Sequence, residues 1–263
     1  MIELNKVGAL LRDEEQPFPV EEVAEYFQGR GVEFEVLEWD HAPRPDLDLV
    51  LAMGGDGTVL KALALCPNSP VLAINYGAVG FLTAGDRAEL RRLLDLLGES
   101  EYLLSERLAL ECEHPGGSVR AVNEVIVRSA GGFVSTDVFV DDTKIRTITG
   151  DGVVVGTPTG STGFLLSTGA PIVMPDVRCF VLDGINEYNF TSRSLILTPE
   201  SRIRLHVSLE TKDPNVLLTV DGQKLAELNP GDDVQITQSL TTAKLIYFDS
   251  TYFFHNLSSK LSW

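Results

Sequence analysis

The stretch Met53-Gly54-Gly55-Asp56-Gly57-Thr58 constrains this chain most. It follows the apolar run Leu47 to Ala52 and precedes Val59-Leu60-Lys61-Ala62-Leu63-Ala64-Leu65. That order predicts a buried strand, a glycine turn and a helix. Glycines remove Cβ atoms where a backbone turns sharply or must let another group come close. A turn opening onto a helix start offers unpaired N–H groups and the positive end of the dipole, so an anion such as phosphate is its natural guest. Asp56 is then the odd residue. A carboxylate beside a phosphate is repulsive unless it binds a cation or takes a proton from a nucleophile. The plain alternative is a tight turn with Asp56 as helix N-cap.

Around this stretch the first part of the chain alternates strand and helix. Val7 to Leu11 reads as a strand. A helix starts near Pro19, with Val20, Val23, Ala24 and Phe27 on one face and Gly29 and Gly31 at its end. Val32 to Leu37 and Val71 to Asn75 read as further strands, and His41 to Pro45 as a loop. The second of these strands leads into another glycine-bearing loop, Tyr76 to Thr83. Asp86 then caps a helix carrying Leu90, Leu93, Leu94 and Leu97. Such alternation implies a parallel sheet with ligands at the carboxyl ends of its strands.

The pattern changes near Gly98. Strands and turns follow, with hairpin signals at Pro115-Gly116-Gly117 and Asp141-Asp142-Thr143 and a tight turn at Asp221-Gly222. A short amphipathic helix, Phe253 to Leu261, closes the chain. The expected fold is an α/β N-terminal domain with a parallel sheet plus a mostly-β C-terminal domain of antiparallel sheets. The boundaries expected are 1–98, with 249–263 packing back on it, and 99–248.

A second constellation lies in this later half. Gly150-Asp151-Gly152 precedes VVVG and then Thr157-Pro158-Thr159-Gly160-Ser161-Thr162-Gly163-Phe164, ahead of a possible helix at Leu165 to Thr168. Hydroxyls and amides at a helix start can hold a ribose, a diphosphate or a metal-bound phosphate, or simply cap the helix. Asn123-Glu124 lies in an otherwise apolar strand, so one of the pair risks burial and needs partners, from a ligand or from a neighbouring backbone.

Charge narrows the function classes. Lys plus Arg number 21 against 38 Asp plus Glu, a net charge of −17. That excludes the basic stripe of a nucleic-acid surface and electrostatic docking to anionic lipid. It also means that a phosphate ligand must be held by local backbone donors and a divalent cation. Cys66, Cys112 and Cys179 show no metal-type spacing and read as reduced, packed thiols. The N-terminus lacks a basic region and a signal-cleavage pattern, which points to the cytoplasm.

Taken in order, these segments resemble the NAD kinase family. MGGDGTVLKA resembles its glycine-rich signature, VLAINYGAVGFLT its next strand and loop, and NEVIVR its Asn-Glu strand. GDGVVVGTPTGSTGFLLSTGAPIVMP resembles its longest motif, and VDGQ and FFHNLSSKLSW also match. The resemblance implies an enzyme that transfers a phosphoryl group from ATP, or polyphosphate, to the 2′-hydroxyl of the adenosine ribose of NAD, with magnesium as the expected divalent cation. It implies Asp56 as general base, with Gly54, Gly55, Gly57, Thr58 and Lys61 at the nucleotide. It implies that Asn123, Glu124 and Asp151 hold NAD. Thr159 and the run Thr162, Gly163, Phe164, Leu165, Leu166 and Ser167 would line its pockets, with Thr149, Asn186 and Gln223 as further contacts. The family forms homodimers and homotetramers, so Asp151 could serve a neighbouring subunit; no nucleic acid or membrane partner is implied.

Departures from the family pattern are visible. Gly163-Phe164 stands where relatives have Ala-Tyr, losing a hydroxyl. Thr149 stands where relatives often have a basic residue, which weakens a diphosphate contact. The usual His-Ser-Leu stretch is not evident, and only Asn189 to Leu195 stands near it. Two other readings of the glycine turn remain: a lipid or diacylglycerol kinase, which shares Gly-Gly-Asp-Gly-Thr, and a dinucleotide sensor without catalysis.

Overall fold

A computed structural model describes residues 2–12, 18–40, 43–44, 46–77, 80–189, 193–211 and 215–262. Parts of the expected His41–Pro45 loop, of the second glycine loop (Ala78 and Val79) and of the Asn189–Leu195 stretch lie outside the described residues. The chain forms two compact units, Met1–Glu106 with Ala243–Trp263, and Arg107–Thr242.

The first unit is built on a seven-stranded sheet. Its first elements are β1 (Lys6–Leu11), α1 (Val20–Gln28), β2 (Glu33–Leu37), β3 (Leu49–Met53), α2 (Asp56–Leu65) and β4 (Val71–Asn75). β1 pairs in parallel with β2 and β3, and β4 pairs in parallel with β3 and with the late strand Ala243–Tyr247. Every residue of β3 and β4 is buried, as expected of a parallel sheet covered on both faces. Each fully buried Leu, Val or Ile there contributes about 1.5–3 kcal/mol of burial. Asp86 caps the 3-10 turn Arg87–Glu89 and not the leucine-bearing helix directly: its carboxylate accepts the amides of Ala88 and Glu89 in a capping box. The helix Leu90–Gly98 that follows buries Leu90, Leu93, Leu94 and Leu97. Leu103–Arg107 joins the same sheet.

The second unit is a sandwich of two six-stranded sheets, whose strand pairings are antiparallel. One core joins them: Leu110, Cys112, Val138, Leu205 and Val234 from one sheet meet Val125, Val127, Val153, Val155 and Leu218 from the other. The opposite face of the second sheet, at Ile126, Val154 and Val181, is covered by Leu165 of the short helix Phe164–Thr168. Burial on both faces explains why Val153 to Val155 is continuously apolar.

The strand expected around Asn123-Glu124 begins only at Glu124. Gly117–Ala121 ends before Asn123, and Glu124–Ser129 begins a strand of the other sheet. The break has a cause. The Asp221 carboxylate accepts the amides of Val122 (2.8 Å), Asn123 (2.8 Å) and Glu124 (3.1 Å), so these amides do not enter one ladder. The three cysteines are free and buried, and burial pushes the Cys112 thiol up to about 12, which keeps it inert.

Candidate active site

The structure gathers the predicted residues into two groups. The first is the glycine turn. Gly55, not Asp56, is the N-cap of α2, and Asp56 is the first helical residue. The Asp56 side chain turns to the second glycine loop instead. One carboxylate oxygen accepts the Phe81 amide at 2.9 Å and the other accepts the Leu82 amide at 3.0 Å. Gly80 makes this possible, since a Cβ there would collide with the Asp56 carboxylate. Asp56 remains partly exposed, so each oxygen, already holding one amide, keeps a lone pair for a further donor.

The glycines around it differ in their reasons. A Cβ at Gly54 would collide with the Thr58 hydroxyl, so Gly54 is required by packing. A Cβ at Gly55 or Gly57 would meet nothing within 4 Å. Packing does not require glycine at those two positions, and the space there is open to an approaching group. Lys61 lies one turn along α2 and is partly exposed. The Thr58 hydroxyl is buried without a hydrogen-bond partner.

The second group lies in the Arg107–Thr242 unit. Glu124 is 4% exposed, and its carboxylate accepts the Phe164 amide at 3.3 Å. Burial, then the negative charge of Asp221, raises its carboxyl to about 7, against the Phe164 hydrogen bond. Asp221 is raised as well, by burial, with the three backbone amides opposing. Asn123 Oδ1 is buried and has no hydrogen-bond partner, the state of a group awaiting a donor. Gly163 sits against this pair: a Cβ there would lie 2.9 Å from Glu124 Oε2 and 3.1 Å from Asn123 Nδ2.

Around these residues the expectations divide. Asp151, Phe164 and Asn186 line one cleft of about 590 Å³ with Arg128 and the segment Ser129 to Phe133. Asn186 donates to the Asp151 carboxylate at 2.7 Å. Thr149 is exposed and lines an adjoining cleft of about 440 Å³, its hydroxyl 2.9 Å from that of Ser135. Gln223 is exposed just after the Asp221-Gly222 turn, and Leu166 and Ser167 lie on the short helix.

The Leu165 side chain is fully buried, packed with Ile126, Val154 and Val181. The hydroxyl-rich loop spends its hydroxyls on protein groups, two of the four within the loop itself. Thr157 donates to the Val122 carbonyl (2.6 Å), Ser161 to Pro158 (2.7 Å) and Thr162 to Thr159 (3.1 Å). Thr159 is buried, and its hydroxyl accepts from Arg107, itself 2% exposed. Two residues were overlooked in the sequence. Arg107 carries no local signal. Asp221 shows in the sequence as a turn residue and within the VDGQ stretch, but nothing local marks it as acceptor for the amides of Val122, Asn123 and Glu124.

Among the described residues no group of three or more His, Cys, Asp or Glu side chains is placed to hold a metal ion. The donor set therefore does not fit a protein-built metal cage. A divalent cation would have to be carried mainly by phosphate and water oxygens.

Comparison with known proteins decides the family. Residues 10–102 match the ATP-NAD kinase N-terminal domain and residues 122–248 the ATP-NAD kinase C-terminal domain. The chain belongs to the NAD kinase family. It is 35% identical over 225 residues to the NAD kinase of Thermoanaerobacter sp. (strain X514), covering 82% of this chain and 78% of that protein. It is 33% identical over 251 residues to a bifunctional NADP phosphatase/NAD kinase of Methanocaldococcus jannaschii, covering 92% of this chain and 42% of that longer protein. A solved NAD kinase from Archaeoglobus fulgidus in complex with ATP superposes with a TM-score of 0.80 at 25% identity, covering 97% of this chain and 99% of that one. Yeast NADH kinase complexed with NADH shares the fold, with a TM-score of 0.85 at 24% identity, covering 99% of this chain and 88% of that one.

Proposed function

We propose that this chain transfers the terminal phosphoryl group of ATP to the 2′-hydroxyl of the adenosine ribose of NAD, giving NADP, with Asp56 as the general base. The observation that carries the assignment of the base is the Asp56 carboxylate. It is partly exposed and fixed by two backbone amides beside Gly55 and Gly57, whose Cβ positions open on empty space. A ribose hydroxyl is a weak nucleophile at neutral pH, and a positioned base is worth about 10²–10⁴-fold. Asp56 takes the hydroxyl proton as the new P–O bond forms and the bond to the ADP leaving oxygen breaks. The backbone amides at the start of α2 bind phosphate, with Lys61 nearby as a cation. Asn123 and Glu124 hold NAD through the unpartnered Asn123 oxygen and the Glu124 carboxylate. Asp151, Phe164 and Asn186 line the cleft that takes another part of the dinucleotide.

Magnesium arriving on the phosphates would neutralise charge on the transferring group. Polyphosphate as a second donor, a cytoplasmic setting and assembly into a homodimer or homotetramer belong to the same proposal. The test is a coupled assay: purified protein with NAD, ATP and magnesium, with NADP read by an NADP-specific dehydrogenase. NADP formation lost in Asp56→Asn, with NAD binding retained, supports the reading. Near-normal turnover in that variant removes Asp56 as the base.

A further inference from the structure

The segment that holds Asp56 is itself held. Phe81 and Leu82 give their amides to the carboxylate, and Phe81, Leu82 and Thr83 are all buried. Buried carbonyls in a segment between regular elements need donors of their own. They find them near the end of the chain. Asn256 Nδ2 donates to the Phe81 carbonyl at 3.2 Å and to the Thr83 carbonyl at 3.0 Å. The Tyr247 hydroxyl donates to the Leu82 carbonyl between them, at 3.1 Å. Three consecutive carbonyls are thus taken by two side chains that lie 165 to 175 residues away in sequence.

Both side chains are fixed in turn. Tyr247 is completely buried and stacks on Tyr252, the ring centroids 3.5 Å apart and the planes within 8°. Asn256 sits on the C-terminal helix Tyr252–Leu261, whose buried residues are Phe253 and Leu257. That helix therefore has an apolar anchor of its own besides the amide of Asn256.

We infer that Asn256 and Tyr247 are positioning residues for the general base: they set the Phe81–Thr83 segment from its carbonyl side, so that its amides present the Asp56 carboxylate in one orientation. This rests on Asp56 being the base, as proposed above. The physical requirement is strict, because a misplacement of about 1 Å at a reacting group can cost about 10²-fold in rate.

The test compares Asn256→Leu, Tyr247→Phe and Asp56→Asn with the unchanged protein, measuring kcat, both KM values and thermal unfolding. Asn256→Leu is expected to lower kcat about tenfold or more, with the KM for NAD and for ATP each within about twofold. Tyr247→Phe keeps the ring stacking and removes the hydrogen bond to the Leu82 carbonyl, so kcat should fall about threefold, again with KM held. A kcat within twofold of the parent in both variants, with Asp56→Asn inactive, overturns the positioning role and leaves the base intact. A joint collapse of kcat, KM and melting temperature in both variants also overturns it, because the residues would then be structural only. High turnover in Asp56→Asn sinks the proposed base itself.

Discussion

Asp56 and Glu124 are two carboxylates from two short motifs, and their surroundings are opposite. Asp56 is partly exposed and holds one backbone amide on each oxygen. Glu124 is almost fully buried, holds one longer amide contact and faces Asp221. The first is arranged to stay fixed while something approaches from outside. The second is desolvated and short of donors, so a ligand that brings hydroxyl groups relieves it. The glycines repeat the contrast. At Gly55 and Gly57 the protein places nothing where a side chain would go, whereas at Gly160 a Cβ would collide with the Asn123 backbone. Glycine is required by packing at Gly160, as at Gly54 and Gly80, whereas Gly55 and Gly57 leave open space.

The largest effect that can break this contrast is at Asp56. Asp56→Asn keeps shape and loses basicity, so kcat should fall about 10²–10⁴-fold with NAD affinity nearly unchanged. Steady-state kinetics and isothermal titration of NAD check it together. A variant that loses NAD binding as much as turnover would make Asp56 a binding residue, like Glu124.

Next in size is Gly160→Ala. The atoms in the way are the Asn123 carbonyl and Cα, which cannot step aside as a side-chain tip can. Overpacking of this kind costs about 1–3 kcal/mol or more, and each kcal/mol lowers the midpoint by about 2–4 °C in a domain of this size. A calorimetric midpoint unchanged within about 1 °C would show that the loop over Asn123 yields, and would dissolve the distinction between the two kinds of glycine.

Much of this was legible from residues and much was not, for reasons that separate local from distant causes. The run Leu47 to Leu65 announces strand, turn and helix, because apolar period and glycine chemistry are local signals. The capping box at Asp86 and the buried leucines after it are local too. The break before Glu124 is not, because it is made by Asp221, almost a hundred positions on. Leu165 looks like a pocket residue in its motif, yet the face of Ile126 and Val154 that it covers is defined only once the sheets form. The hydroxyls of Thr157, Ser161 and Thr162 were visible as a cluster, but whether they face a ligand or their own backbone depends on the turn they build.

Glu124 gives the third prediction. Its carboxyl lies near 7 when folded against an ordinary 4.5, so the native state keeps a proton that the unfolded chain has already released. The sign follows: stability falls as pH rises between about 4.5 and about 7, and is level above that. If Glu124 holds NAD as proposed, through hydroxyls that donate to the ionised form, NAD affinity should rise up to about tenfold from about pH 6 to about pH 8. Glu124→Gln should weaken binding and flatten both trends, checked by calorimetric titration and melting at several pH values. A pH trend in NAD affinity that persists in Glu124→Gln would have to come from another group.

The smallest effect gives the sharpest test of the comparison. Gly57 is the second residue of α2 and is exposed, with space where a methyl would go. Alanine is a better helix former than glycine by up to about 1 kcal/mol, so Gly57→Ala should leave the melting temperature unchanged or raise it by a few degrees. If that open space is kept for a phosphate, the same methyl should raise the KM for ATP several-fold with the NAD site untouched. Gain of stability with loss of ATP affinity is the signature of a position chosen for its ligand. Gain of stability with unchanged ATP kinetics would mean that the donor does not approach the backbone there. The anion site would then have to be sought among the other amides at the start of α2.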